Sequence, residues 1–363
     1  MKKNKLSHFE AVCFVLICMI NEIILNVSQN YVLSVGTGAI INLILVSTIA
    51  FVFCFIISKL FKNFSNSNLI NISEYLGGKI FKFIIGLIFI MFFIILVCFA
   101  ISNFSYLIKT IYFQKSPILF ISLFFTISML ISNLIGFDSL KKVACLIIPF
   151  CILSMLLVFV SSLKSYTPYR LTPILGYNAK NTFVYGLTNL YGFSIIIYYY
   201  FLMPFLRNKQ TYFKIIKHSF FIAFIILLLI IISLLTNFPT FDNSEEINSM
   251  YLLTRTIELS NFLQRVDALF ILLWIISNFV YISILLFWII EIFGNLFTFE
   301  NKKMLSLPLT SIILGAVILI YNNQLTQLIK TDFYKYISVV IIFVIGFLIL
   351  CLANLKKKLK KES

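Results

Sequence analysis

The sequence predicts an all-α integral membrane protein, a bundle of about ten transmembrane helices, and three observations carry that prediction. Of its 363 residues, 61% are hydrophobic and 41 are Phe, with a mean hydropathy of +1.03, whereas soluble domains are about 45–50% apolar. Windows of about 20 residues almost free of charge recur along the chain, each long enough to cross a hydrocarbon core of roughly 30 Å as a helix. The windows show no strict alternation of apolar and polar residues, which excludes barrel strands.

In order, the runs are 9–30, 37–60, 81–108, 117–135, 138–162, 183–206, 213–236, 266–291, 304–321 and 334–354. The first is too long for a cleaved signal, carries Asn21 and Glu22 in its middle and lacks a small-residue cleavage site, so it reads as a helix. The longest polar stretches are 61–80, 163–182 and an acidic loop at 237–265, none large enough for a soluble domain, so the function belongs to the bundle. Stretches 61–80 and 292–303 mix aromatic and charged residues and read either as short helices at the inner surface or as plain connectors. Residues 355–363 form a basic tail.

The net charge of +16 is explained by topology. With the N-terminus inside, 20 of the 29 Lys and Arg fall at the ends and inner loops, and Asp242, Glu245, Glu246 and Glu258 fall outside. Both termini are then cytoplasmic, and no nucleic-acid partner is needed. The Lys356–Lys361 cluster attracts anionic lipid, at roughly 1 kcal/mol per basic residue. Cys13, Cys18, Cys54, Cys98, Cys145, Cys151 and Cys351 lie inside apolar runs without zinc or disulfide spacing, and His8 and His218 are isolated near helix ends, so no metal or cofactor is expected. HExxH, GxSxG, Walker and paired-carboxylate patterns are missing from the sequence, which argues against an enzyme.

Polar residues within the runs are the functional signal, because a polar group in hydrocarbon faces the bundle interior or a cavity. The first run carries Asn21, Glu22, Asn26, Ser28 and Gln29, with Glu22, Asn26 and Gln29 on one face. The third has Ser102, Asn103, Ser105 and Tyr106; the sixth Thr188, Asn189, Gly192 and Ser194; the eighth Trp274, Ser277, Asn278 and Tyr281. Their common depth predicts a cavity opening outward between helices one, three, six and eight, although interhelical hydrogen bonding would use the same residue types. The candidate ligand-binding set is Asn21, Glu22, Asn26, Asn103, Tyr106, Thr188, Asn189, Gly192, Trp274, Asn278 and Tyr281. From depth and spacing, Glu22 is placed to meet an ammonium or a cation, Asn26 and Asn189 a carboxylate or amide, and Trp274 with Tyr281 to form an apolar wall. Candidate helix breaks are Asn21–Gln29 in the first run and Gly186, Gly192 and Pro204 in the sixth, corresponding positions in a five-plus-five inverted repeat inferred from layout. Pro149 and Pro308 read as kinks or helix starts. Arg265 and Asp267 read as a charged pair at the outer end of helix eight.

Several stretches resemble the spore germination permeases, the B subunits of nutrient germinant receptors, which are related to the amino acid/polyamine/organocation transporters. They are RTIELSNFLQRVDALFILLWIISNF (255–279), with Arg265, Asp267 and Trp274; RLTPILGYNAKNTFVYGL (170–187), with Pro173, Gly176 and Gly186; Pro204-Phe205; LSHFEA (6–11); and SEYLGGKIFKFIIG (73–86). The chain departs from the related transporters in helix one, where Asn21-Glu22 replaces a Gly-rich unwound stretch, leaving open whether that helix is broken. The resemblance implies a ten-helix transporter-like fold in the spore inner membrane, and assembly with an A subunit bearing a soluble domain and a lipoprotein C subunit. It also implies sensing of a small nutrient, often an amino acid. A proton- or cation-coupled amino-acid transporter using Glu22, and an assembly subunit without a ligand of its own, are the alternatives.

Overall fold

A computed structural model describes residues 5–238, 248–256, 266–297, 299, 301–322 and 332–362. Nine helices in it are long and apolar enough to cross a membrane, and the sixth span, broken into short pieces, supplies a tenth crossing. The first span is α1 (His8–Glu22), a π-helical turn (Ile23–Val27) and α2 (Ser28–Val35). The next four are α3 (Ala39–Phe61), α4 (Leu69–Ile111), α5 (Ile118–Ile135) and α6 (Phe137–Ser162). The sixth consists of α7 (Ala179–Phe183), a 3-10 segment (Tyr185–Phe193), α8 (Ile196–Leu202) and a 3-10 turn (Met203–Phe205). Beyond it lie α9 (Tyr212–Asn237), the loop helix α10 (Ser249–Arg255), α11 (Val266–Phe297) and α12 (Ser306–Asn322). The last span is α13 (Asp332–Val339), a second π turn (Val340–Ile345) and α14 (Gly346–Glu362). Ten crossings in two sets of five form an inverted-repeat, transporter-like bundle.

Local chemistry sets the boundaries. Ser7 and Glu10 form a reciprocal capping box that starts α1. Asn68 caps α4, and Gly78, at φ 78°, separates a short helix (69–77) from a span of about 50 Å that must tilt to fit the bilayer. The 61–80 connector is therefore partly helical. The 292–303 stretch is different, because residues 292–297 continue α11, and Lys302 reaches back to Glu291 at 2.6 Å and Asn295 at 3.1 Å. Pro308 sits in the first turn of α12, where its missing N–H is harmless, while Pro149 is internal to α6. The acidic 237–265 loop contains α10, and its residues 239–247 and 257–265 lie outside the described residues.

The first and sixth spans are linked at three levels: Leu6 at the end of the sixth span, Glu22 with Ser194 and Tyr198, and Tyr31 with Asn189. Leu6 and the chain end of the sixth span form a β-bridge, with Leu6 N–H donating to Phe205 at 2.7 Å and Arg207 N–H to Leu6 at 2.9 Å. On this same side, Phe14, Phe137, Phe201, Phe205, Phe287 and Trp288 pack ring to ring, with Phe137 stacked on Phe287 at 4.7 Å and Phe205 against Trp288 at 5.5 Å. Phe14 lies eight residues before Glu22, about 12 Å along the helix, so this aromatic plug closes the bundle on the N-terminal side of the polar level.

Candidate functional site

Where the first span widens into its π turn and the sixth thins into a 3-10 segment, the backbones leave room for side chains to converge on Glu22. Such wide turns in an otherwise α-helical stretch occur often at functional sites. Helix one is thus remodelled without being broken. Ser194 and Tyr198 from the sixth span and Tyr281 from α11 all donate hydroxyl hydrogen bonds to the Glu22 carboxylate, Tyr198 at 3.0 Å and Tyr281 at 3.2 Å to one oxygen and Ser194 to the other. No Lys, Arg or His comes within ion-pair distance of Glu22 among the described residues, whereas Glu10, Glu74, Asp138 and Glu291 each have a lysine partner. A carboxylate offers about four acceptor positions. Three are filled, and the remainder faces a cavity.

That cavity is lined by Glu22, Leu25, Val27, Leu96, Phe99, Ala100, Tyr191, Ser194, Tyr281 and Tyr334. Its volume of about 20 Å³ holds one water or a bare ion, since a water needs some 10–15 Å³ by this measure. It draws on helices one, three, six and eight, as the sequence level predicts, and also on the tenth through Tyr334, which packs edge-on to Tyr191 at 6.3 Å.

The remaining candidates divide by what they bond. Asn21 clasps α1 to α11, accepting from Ser277 at 3.1 Å while donating to Ile17 in its own helix. Asn189 is fully buried, and its side-chain amide donates to Ser34 at 2.9 Å and Asn42 at 2.8 Å, while its backbone carbonyl accepts from Tyr31. Thr188 returns its hydroxyl to Tyr185 in the same 3-10 turn. Gly192 permits close approach: a Cβ there would lie 2.8 Å from Val27 and 3.0 Å from Tyr31. Asn21, Asn189 and Gly192 thus hold the first, second, sixth and eighth spans together. Asn278, wholly buried, has no partner for either side-chain atom among the described residues, and neither do Trp274 Nε1, Asn103 Nδ2 and Ser102 Oγ. Asn278 and Trp274 continue the face of Tyr281 by one and two turns, and Asn103 continues that of Phe99 and Ala100. Buried unpaired polar groups call for water or ligand atoms. Tyr106 lies one turn further along α4. The Asn26 side chain and Arg265 fall outside the described residues, so the Arg265–Asp267 pair is not described. Tyr198 and Tyr334 were not among the sequence candidates; the Tyr198-Tyr199-Tyr200 run was the available signal for the first.

Asn248 adds a link from outside the bundle. Its amide donates to the π-turn carbonyls of Ile24 and Leu25, both at 2.8 Å, and its oxygen caps α10 through Met250 and Tyr251 N–H. Asn248→Ala removes a helix cap and two buried bonds, so a loss of about 2 kcal/mol is expected. Faster amide exchange across Ser249–Arg255 is the measurement, and unchanged protection there would remove Asn248 from this role.

A family profile described as "Spore germination protein" matches residues 5–326. The chain belongs to the spore germination permease family. Among curated proteins none matches it. Among solved structures the permease is similar to a Na+-coupled sialic acid symporter in a substrate-bound outward-open state, at 12% identity and TM-score 0.66, over 94% of this chain and 80% of that one. It is also similar to a manganese transporter from Eremococcus coleocola, solved with an aromatic bis-isothiourea substituted compound, at 11% identity and TM-score 0.56, over 96% and 84%. At these identities the likeness concerns fold, and it gives the permease a transporter architecture in a multi-pass membrane protein.

Proposed function

We propose that this permease is the membrane subunit of a germinant receptor, which binds a small nutrient carrying an ammonium group at Glu22 and signals germination through A and C partner subunits. The observation that carries this reading is the Glu22 carboxylate itself: held by three hydroxyls, without a cation at ion-pair distance among the described residues, and open to a cavity. A carboxylate in a hydrocarbon-bounded bundle is costly unless it is neutralised, and a ligand ammonium supplies the missing charge. Asn278, Trp274 and Asn103 offer unpaired groups to the rest of the ligand.

The cavity is too small for an amino acid as it stands, so binding requires the first and sixth spans to separate locally from α4 and α11. A ligand that binds only the opened state shifts the population toward it, each tenfold preference contributing about 1.4 kcal/mol. Both termini lie in the cytoplasm in this reading, with the aromatic plug closing the cytoplasmic side and α10 facing outward. The protein acts on its ligand by binding alone, without catalysis.

Thermal unfolding of the purified permease across a panel of amino acids, sugars and nucleosides tests the proposal. A stabilisation by one chemical class, rising with concentration, is expected; no shift with any compound would move the function to an assembly role or to a site completed by partners. A second reading, a proton- or cation-coupled amino-acid transporter, is favoured by the cavity size, which suits a single ion beside Glu22. Uptake of labelled amino acid into proteoliposomes containing this chain alone would decide for it.

A further inference from the structure

We propose that the end of the bundle carrying the chain termini binds an anionic phospholipid in a groove between the start of α4 and the final helix α14. The groove has a volume of about 450 Å³ and is walled by Leu76, Gly77, Phe81, Leu352, Leu355, Lys356 and Leu359. Leu352, Leu355 and Leu359 are about half to two-thirds exposed, an apolar lining that suits an acyl chain.

Two features distinguish this groove from ordinary lipid-facing surface. The first is its construction. Gly78 breaks α4 and leaves the carbonyls of the preceding turn without helical partners, and Lys356 bridges the groove to donate to Tyr75 at 3.1 Å and Leu76 at 2.8 Å. Lys357 donates to the Asn63 carbonyl and lies 4.7 Å over the Phe64 ring, and Asn63 bonds Asn354 at 2.7 Å. The tail of α14 is thus clamped on the connector, and the two walls are fixed relative to each other.

The second feature is charge at the rim. Residues 352, 355, 356 and 359 share one helical face, and Lys360 extends it by a further turn, held 5.7 Å from the Tyr75 ring. Lys356 itself lines the groove beside Leu355 and Leu359. The neighbouring carboxylate, Glu74, is taken by Lys82 at 2.7 Å. An apolar slot with lysines at its mouth matches a phosphate headgroup above an acyl chain, and basic pockets at membrane helix ends recognise anionic headgroups in this way.

The test is native mass spectrometry of the full chain released from nanodiscs containing phosphatidylglycerol and phosphatidylcholine in equal amounts. Preferential retention of one phosphatidylglycerol is expected. It should fall about fivefold in the Lys360→Gln variant, and also on filling the slot with Leu359→Trp. Lys360 makes no hydrogen bond among the described residues, and the wild-type comparison of the two lipids needs no variant. Equal retention of both lipids by the wild type, or unchanged retention in the two variants, would overturn the proposal. Displacement of the lipid by millimolar inorganic phosphate would also overturn it, by showing a site for phosphate alone.

Discussion

Glu22→Gln is expected to abolish the nutrient-dependent rise in unfolding temperature while the protein stays folded in the membrane. The side chains are nearly isosteric, so the packing of Leu25, Ser194, Tyr198 and Tyr281 around the group need not change. What changes is charge. The amide keeps one acceptor oxygen for the tyrosine hydroxyls that now share Oε1, and Ser194 can rotate its proton away from the new NH₂. A ligand ammonium loses a charge-assisted bond of about 1.5–3 kcal/mol, equivalent to a roughly 10- to 150-fold weaker affinity. The empty protein is expected to be as stable as the wild type or slightly more so, because removing an unpaired buried charge removes its desolvation cost. Dose–response curves of unfolding temperature against ligand, wild type beside variant, are the measurement. Coincident curves would take Glu22 out of the site.

Gly176→Ala should damage the fold more than any exposed substitution. Gly176 has φ 65°, and a Cβ built on it would lie 2.0 Å from the Val35 carbonyl oxygen and 2.8 Å from the Gly38 nitrogen. Both are backbone atoms, which cannot rotate away as a side chain would. The left-handed conformation costs about 1–2 kcal/mol for a residue with a Cβ, and overpacking typically adds about 1–3 kcal/mol. The 163–182 segment would therefore lift from the turn joining α2 to α3, which Tyr177 and Thr182 also line. A drop of several degrees in unfolding temperature and a reduced yield of membrane-inserted protein are expected. Gly315→Ala in α12 is the control: nothing lies within 4 Å of its would-be Cβ, so the better helix propensity of Ala should leave stability unchanged or slightly raised. Equal effects from the two substitutions would contradict this account.

The depth of the site was legible in the sequence, but its membership only in part. Glu22 lines the cavity between helices one, three, six and eight, because a carboxylate inside an apolar run has nowhere else to go; Tyr281, expected there as an apolar wall, instead donates its hydroxyl to Glu22. Asn21 and Asn189 occupy the same level yet bond Ser277, Ser34 and Asn42. An Asn whose amide clasps two helices and one whose amide is left open look identical in sequence. Tyr198 was hidden for the opposite reason: within an apolar run a tyrosine reads as bulk, and only its partner shows that its hydroxyl matters.

The sequence by itself determined that the chain spans a membrane about ten times, that the sixth span is irregular and that its polar residues gather at one level. Each of these follows from hydropathy summed over about 20 residues or from glycine and proline within one segment. Tertiary structure alone decided that helix one widens without breaking, that Tyr334 of the last span joins the pocket, and which three hydroxyls hold Glu22. Those hydroxyls come from residues 172, 176 and 259 positions away. A hydrogen bond depends on where two side chains meet in space, and no local sum of hydropathy records a meeting over such separations.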